Sequence, residues 1–453
     1  MPEATQFALP LPEEEYERRF ADVLPRLSPQ AAAIAAARCL YCYDAPCIRA
    51  CPTRIDVPGF IQKIASGNPA GSARVILEAN VLGESCGRVC PTEVLCEGAC
   101  VLNREGEKPV EIGRLQRYAV AWALERELRL LQPGPANGRR VAILGAGPAG
   151  IAAAAALARR GYAAILYDRN PGLGGLNTYG IAAYKSRAEE SLRELAWLQR
   201  QLGFELRTGV EVGRDISLET LEQDADAILI ACGLGDSERL GLPGGELAGV
   251  LSAMEFITPT KTRPWRELRV GRRVVVVGAG NTAIDVATAA RRLGAGEVTI
   301  LYRRGEAELP AFRYEYELAL RDQVQFLWHA QPVRILGENG HVTAVECQRT
   351  RLRGTGREAR VEAIPGSEFQ LGADQVVSAI GQAPLAKLLS SLPGVTVRQG
   401  RVQVNPDHFQ TQNPRYFAAG DCVNGGAEVV DAVAEGMAAA RGIHDWLVHM
   451  RGQ

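Results

Sequence analysis

Charge of one sign is missing from this sequence. Its 51 Lys and Arg face 52 Asp and Glu over 453 residues, a net charge of −1. That balance gives no footprint for nucleic acid or a membrane surface, and no arginine-rich stripe with interleaved aromatics supplies one. Long apolar runs are missing as well. No stretch approaches the roughly 18 residues that span a bilayer, so no membrane insertion is expected. The N-terminus, MPEATQFALPLPEEEYERRF, is acidic and lacks the apolar core of a secretory signal. The chain is therefore expected in the cytoplasm, where thiols stay reduced. Low-complexity segments are absent, and cysteine is nearly absent beyond residue 100. Only Cys232, Cys347 and Cys422 occur there. Standing alone in the sequence, each reads as a small buried hydrophobe. No redox-active cysteine pair is expected among them.

What is present divides the chain in two. Up to about residue 135 there are helical patterns and no repeated Val/Ile-rich strands. SPQAAAIAAARCL places Ser28 as a cap and Pro29 at the first helical position. VPGFIQKIASG and NPAGSARVILEAN continue as helices, and a long amphipathic helix is predicted over 110–131. The cysteines are expected in the connections between helices. After the linker QPGPANG the pattern turns to strand, glycine-rich turn, helix, strand. RRVAILGAGPAGIAAAAALARRGYAAILYD is followed some 130 residues later by RRVVVVGAGNTAIDVATAARRLGAGEVTILYRR. This internal duplication of a βαβ unit predicts two Rossmann-like domains behind an all-α front, in the α/β class.

In the first copy Gly145, Gly147 and Gly150 form G-x-G-x-x-G around Pro148 and Ala149. The glycines permit the tight turn, the approach of a pyrophosphate and close helix–strand packing. Asp168, ending the second strand, suits ribose hydroxyls. In the second copy Gly278 and Gly280 precede Asn281 and Thr282, and Ala283 stands for the third glycine. Arg303 and Arg304 replace the acid. Guanidinium groups there can grip a 2′-phosphate, which favours NADP over NAD. Two dinucleotide folds without an obvious catalytic acid, base or nucleophile imply one flavin (FAD) and one nicotinamide, NADP(H) or NAD(H). Hydride then passes directly between cofactors, so no side chain is nominated as catalytic.

The front carries Cys39-x2-Cys42-x4-Cys47-x3-Cys51-Pro52 and Cys86-x3-Cys90-Pro91-x4-Cys96-x3-Cys100. Such spacings suit zinc or iron–sulfur clusters. Cys-Pro closing a group of four, together with flavin and nicotinamide sites, favours iron–sulfur. Those centres would link a two-electron donor to one-electron acceptors.

NPRYFAAGDCVNGGAEVVDAVAEGMAAARGI resembles the second flavin motif of the two-dinucleotide flavoproteins, which include glutathione reductase. The resemblance implies flavin contacts from Gly420, Asp421, Val430 and Asp431, and a flavin domain split by the nicotinamide domain. VVSAIGQAP resembles a linking strand of that family and places Gly381 at the nicotinamide. AARCLYCYDAPCIRACPTRIDVPGFI, CGRVCPTEVLCEGAC and VEIGRLQRYA are together similar to the front domain shared by glutamate synthase small subunits and dihydropyrimidine dehydrogenase. GGLNTYGIAAYK matches their flavin signature, with Ala182 where proline is usual, and implies flavin contacts from Gly174, Gly175, Leu176 and Lys185.

By this resemblance Cys39, Cys42, Cys47 and Cys100 ligate one 4Fe-4S cluster, and Cys51, Cys90, Cys96 and Gln116 a second. Cys86 would then be a bystander. The competing assignment makes Cys86 the fourth ligand. The implied domains are 1–135 (two clusters), 136–255 and 383–453 (FAD) and 256–382 (NAD(P)). The implied function is electron transfer between NAD(P)H and a partner, within a hetero-oligomer. That partner would be a catalytic subunit or a ferredoxin-like iron–sulfur protein. The alternatives are the reductase subunit specifically of glutamate synthase or of dihydropyrimidine dehydrogenase, and a self-contained NAD(P)H-dependent flavin reductase with a structural zinc domain.

Overall fold

Capping decides where the front helices begin. The Ser28 hydroxyl accepts the Ala31 N–H at 3.2 Å, and helix Pro29–Ala37 follows. Asp56 and Asn68 cap Val57–Ala65 and Pro69–Ala79 in the same manner. The computed structural model describes residues 6–354, 356 and 359–449. The long helix is shorter than the sequence pattern suggests, running from Ile112 to Glu125. Glu127 turns left-handed at φ 48, and the Leu128 N–H reaches back to the Ala123 carbonyl. The Gln201 side chain then takes the Leu130 and Leu131 N–H groups, which holds that stretch extended. Not every cysteine of the front lies in a connection. Cys47 is in the short helix Pro46–Ala50 and Cys86 in Gly83–Val89.

The chain folds as two compact units. One takes in Leu24–Thr178, Ala188–Leu234 and the chain from Pro384 onward. Its five parallel strands lie in the order Tyr416–Ala418, Ala227–Ile230, Arg140–Leu144, Ala163–Asp168, Glu205–Thr208. The helical front packs into this same unit. Phe60, Ile61, Leu77, Leu115 and Val120 share one buried core with Ile143, Ile151, Trp197 and Val433. At Gly87 a Cβ would stand 2.8 Å from the Arg117 backbone nitrogen, so Gly83–Val89 lies directly against Ile112–Glu125.

The other unit takes in the chain up to Val23, Tyr179–Arg187 and Gly235–Ala383. Its parallel sheet has the order Val250–Ser252, Gln375–Ser378, Arg273–Val277, Glu297–Leu301, Gln325–Leu327. An antiparallel sheet of Ala330–Glu338, His341–Arg353 and Arg360–Gly372 accompanies it. The N-terminal segment belongs here too. The Ala8 N–H bonds the Val270 carbonyl, and the Arg272 N–H bonds the Gln6 carbonyl, both at 2.9 Å. Phe20 is fully buried and stacks on Trp265 with ring centroids 4.4 Å apart. Among the described residues no helix is long and apolar enough to cross a membrane.

Phe20→Ala empties a buried aromatic site and should cost about 3–5 kcal/mol in this unit. Urea unfolding monitored by tryptophan fluorescence measures it.

Candidate functional site

The first glycine-rich turn follows strand Arg140–Leu144. Gly145 has φ +113, and a Cβ there would stand 2.3 Å from the Ala231 carbonyl oxygen. On Gly150 it would stand 2.1 Å from the Gly145 carbonyl oxygen, so only glycine fits. Gly147 differs, because the nearest atom to a Cβ is 3.9 Å away. That open space lies at the N-terminus of helix Pro148–Ala158, where free N–H groups and the helix dipole suit a pyrophosphate. The Asp168 carboxylate accepts the Ala146 and Asn170 N–H groups, both at 2.8 Å.

The structure brings Gly174, Gly175 and Gly420, also expected at the flavin, to the same turn. A Cβ on Gly175 would stand 3.0 Å from the Gly147 Cα, and the Gly174 N–H bonds the Ala146 carbonyl at 2.8 Å. Leu176 opens the short helix Leu176–Tyr179. A Cβ on Gly420 would stand 2.9 Å from the Ala149 Cβ. Burial pushes the Asp421 carboxyl above its usual range. Val430 is buried, and Asp431 accepts the Glu428 N–H at the start of Val429–His449. Sequence reasoning missed Glu435, which accepts the Gly420 N–H at 2.7 Å and the Asn424 amide at 3.0 Å. Its spacing of four from Asp431, on one helical face, was the available signal. Lys185 lies in the other unit, ion-paired with Asp285 (2.6 Å) and Glu315.

The second turn has the same form. Gly278 has φ +117, and a Cβ there would stand 2.3 Å from the Ala379 carbonyl oxygen. A Cβ on Gly280 would meet nothing within 4 Å, again at a helix N-terminus, Asn281–Leu293. Asn281 accepts the Phe312 N–H at 3.0 Å, Thr282 is exposed, and Gly381 has φ +131. Arg303 is exposed, whereas Arg304 holds its Nη1 buried without a hydrogen-bond partner among the described residues. The nearby carboxylates are engaged elsewhere. Glu306 pairs with Arg313, and Glu308 accepts the Gly305 N–H.

In the front, Cys39, Cys42, Cys47 and Cys100 line a single pocket walled by Val57, Ile61 and Ile112. Burial pushes the Cys39 thiol up, and the Cys47 thiol to about 11. Ligation would release those protons. The second group lies beside the first. Cys90 is pushed far up by its hydrogen bond with Cys86, then by burial, Cys96 and Cys51. Cys96 is pushed up by burial, with Glu97, Cys51 and Cys47 adding to it. Gln116 is buried, and its Nε2 donates to the Gly83 carbonyl at 2.8 Å. Among the described residues no three His, Cys, Asp or Glu side chains converge on a single-ion point. The first four thiols surround a pocket instead.

A buried carboxylate joins this region to the nucleotide fold. Glu194, on helix Ala188–Leu202, accepts the Glu84 N–H (2.7 Å), the Ser85 N–H (3.0 Å) and the Ser85 hydroxyl (2.5 Å). Arg193 and Arg88 pair with Glu84, and Arg88 also with Glu190. Burial, then the Glu84 charge, push Glu194 up to about 7.

One expectation is corrected. Cys232 and Cys422 are not isolated in space, because the Cys422 sulfur lies 3.5 Å from the carbonyl oxygen of Ile230, two residues before Cys232. Strands Ala227–Ile230 and Tyr416–Ala418 are parallel neighbours, and each cysteine lies just beyond the end of one. Cys347 is buried on its own strand.

Residues 16–128 match the family described as dihydropyrimidine dehydrogenase domain II, 4Fe-4S cluster. Residues 139–436 match the pyridine nucleotide-disulphide oxidoreductases. With the two glycine-rich turns, this defines the class: an NAD(P)H-dependent flavoprotein oxidoreductase with an iron–sulfur domain in front. The glutamate synthase (NADPH) small chain of Escherichia coli K12 is 38% identical over 451 residues, 94% of each chain. The NAD-dependent dihydropyrimidine dehydrogenase subunit PreT of the same organism is 33% identical over 413 residues, 91% of this chain and 93% of its own. The chain belongs to the family of electron-transfer flavoprotein subunits that these two represent. Mycobacterium tuberculosis FprA, solved in complex with NADPH, is 19% identical. It superposes with a TM-score of 0.58 over 70% of this chain and 86% of its own, a likeness of fold.

Between about pH 4.5 and 7 the folded chain keeps a proton on Glu194 that the unfolded chain has released, so stability falls as pH rises through that window. Glu194→Gln should flatten this slope. Urea midpoints at pH 5.5 and 7.5 should draw together in the variant.

Proposed function

We propose that this chain takes electrons from NADPH and delivers them singly to a partner subunit, using FAD and two 4Fe-4S clusters. One observation carries the reading: four front-domain thiols line one pocket, inside the compact unit that also holds the first glycine-rich turn. When bound, the flavin would convert hydride transfer into the single-electron steps that the clusters carry. The chain's own residues hold and orient. The amides of Ala149 and Gly150 would take the flavin pyrophosphate, Asp168 the ribose, and Asp421 the ribityl chain. The open space beside Gly147 fits a pyrophosphate in close approach.

Cys39, Cys42, Cys47 and Cys100 would hold one cluster; Cys51, Cys90, Cys96 and Gln116 the other. Gln116 suits this role because its Nε2 is anchored on Gly83 while Oε1, the atom able to ligate iron, takes no hydrogen bond among the described residues. Cys86 suits it poorly. Its sulfur touches that of Cys90, whereas thiolates on different corners of one cubane must stand apart. The orphaned Arg304 Nη1 supports NADP, since a buried guanidinium nitrogen without a partner fits a 2′-phosphate oxygen.

The names of the two relatives support a hetero-oligomer with a catalytic subunit. Leu40, Tyr41 and Tyr43 are exposed beside Cys39 and Cys42 and offer an apolar docking surface where electrons would leave. The proposed domains are 1–135 for the clusters, 136–255 with 383–453 for FAD, and 256–382 for the nicotinamide. Anaerobic purification tests the whole reading, which requires flavin absorbance, acid-labile sulfide and NADPH oxidation by ferricyanide. Zinc without iron would refute it.

Arg304→Ala should raise KM for NADPH about 10- to 100-fold, the worth of a charged hydrogen bond, and leave KM for NADH within about twofold. Steady-state kinetics with both nicotinamides reads this directly. Cys86→Ser should keep about eight iron atoms per chain, the content of two cubanes. Iron and sulfide assays would expose the loss of a cluster.

A further inference from the structure

The strand ends that frame the flavin turn carry a pair of thiols that the electron path does not use. Cys232 follows strand Ala227–Ile230, and a Cβ on Gly145 would stand 2.9 Å from the Cys232 Cα. Cys422 follows Asp421 in the short helix Asp421–Asn424. Its Sγ is fully buried, 3.4 Å from the Ala419 carbonyl oxygen and 3.5 Å from that of Ile230. The register Ala418↔Ile230 carries the two chains on side by side, and the Cys422 sulfur lies against the Ile230 carbonyl, two residues before Cys232.

The two thiols are chemically unequal. Cys232 is half-buried, and its thiolate is favoured first by the Cys422 S–H and also by Arg169, with burial and Asp168 opposing. Cys422 is deeply buried beside Asp421, and its S–H faces the Ala419 and Ile230 carbonyl oxygens. A half-buried cysteine beside a second, fully buried one is the arrangement of the attacking and resolving residues of a reversible peroxide-sensing pair.

We propose that Cys232 and Cys422 form a thiol–disulfide modification site whose oxidant is a hydroperoxide. The Cys232 thiolate attacks one peroxide oxygen and breaks the O–O bond, giving a sulfenic acid and hydroxide. The Cys422 thiol then attacks the Cys232 sulfur; the S–O bond breaks, water leaves and the disulfide forms. Two thiols lose two electrons, and one hydrogen peroxide becomes two waters. A small dithiol reverses the step and is itself oxidised to a disulfide. Bond formation must bring the two sulfurs to about 2.05 Å. It thereby draws the Gly420–Asp421 turn against the end of the neighbouring strand. Reduced flavin retention after oxidation rests on the assignment of Asp421 to FAD; formation of the bond itself does not.

Trypsin isolates the pair. Cleavage at Arg214, Arg239, Arg415 and Arg441 yields peptides 215–239 and 416–441, each with a single cysteine. The anaerobically purified holoprotein is treated with a small excess of hydrogen peroxide, alkylated, digested and mapped by mass spectrometry. A linked species lighter than the two peptides by two hydrogens, abolished by dithiothreitol, is expected. In Cys422→Ala, Cys232 should instead accumulate as a dimedone adduct, and in Cys232→Ser no link should form. Full alkylation of both cysteines after peroxide, or Cys232 joined to a front-domain cysteine, overturns the proposal. If the link forms and flavin absorbance stays with the protein, the thiol pair stands and the coupling of its closure to flavin release fails.

Discussion

The contact between Glu194 and the start of helix Gly83–Val89 underlies much of what this chain does. A buried carboxylate is costly unless its oxygens are filled. Here two backbone N–H groups and a hydroxyl fill them. The donors belong to the helix that carries Cys86 and leads into Cys90, and the acceptor belongs to the helix behind the glycine pair Gly174–Gly175. The thiols and the first glycine-rich turn are thus fixed within one core rather than on separate, independently moving lobes. Electron transfer over a set distance needs that rigidity more than it needs any single side chain.

Much of the architecture was legible because it rests on local rules. Ser28, Asp56 and Asn68 mark helix starts by their own side-chain bonds. The two G-x-G-x-x-[G/A] turns announce themselves because Gly145 and Gly278 need positive φ and no Cβ. The thiol groups were legible from spacing, and Cys39, Cys42, Cys47 and Cys100, drawn from both runs, line one pocket.

What escaped was non-local. Cys232 and Cys422 come close because their strands are neighbours in the sheet, although the whole second nucleotide fold separates them in the chain. Nothing in a one-dimensional pattern pairs them. Glu194 reads as one more acid on an amphipathic helix until its partners are seen. The helix over 110–131 was overextended because its apolar period continues past Glu125, while a left-handed Glu127 and the Gln201 side chain redirect the backbone. Lys185 shows the same limit, since its ion partners Asp285 and Glu315 lie in the second nucleotide fold.

The N-terminal segment has a consequence for how the molecule is made. Gln6 and Ala8 bond backbone groups at Arg272 and Val270, and Phe20 stacks on Trp265. These residues therefore wait for partners synthesised about 260 residues later, roughly 13–50 s at ordinary elongation rates. Through that interval Tyr16 and Phe20 have no core to enter. The nascent chain thus carries an exposed aromatic segment that a holding chaperone can occupy, and its burial marks the point at which the second nucleotide fold closes.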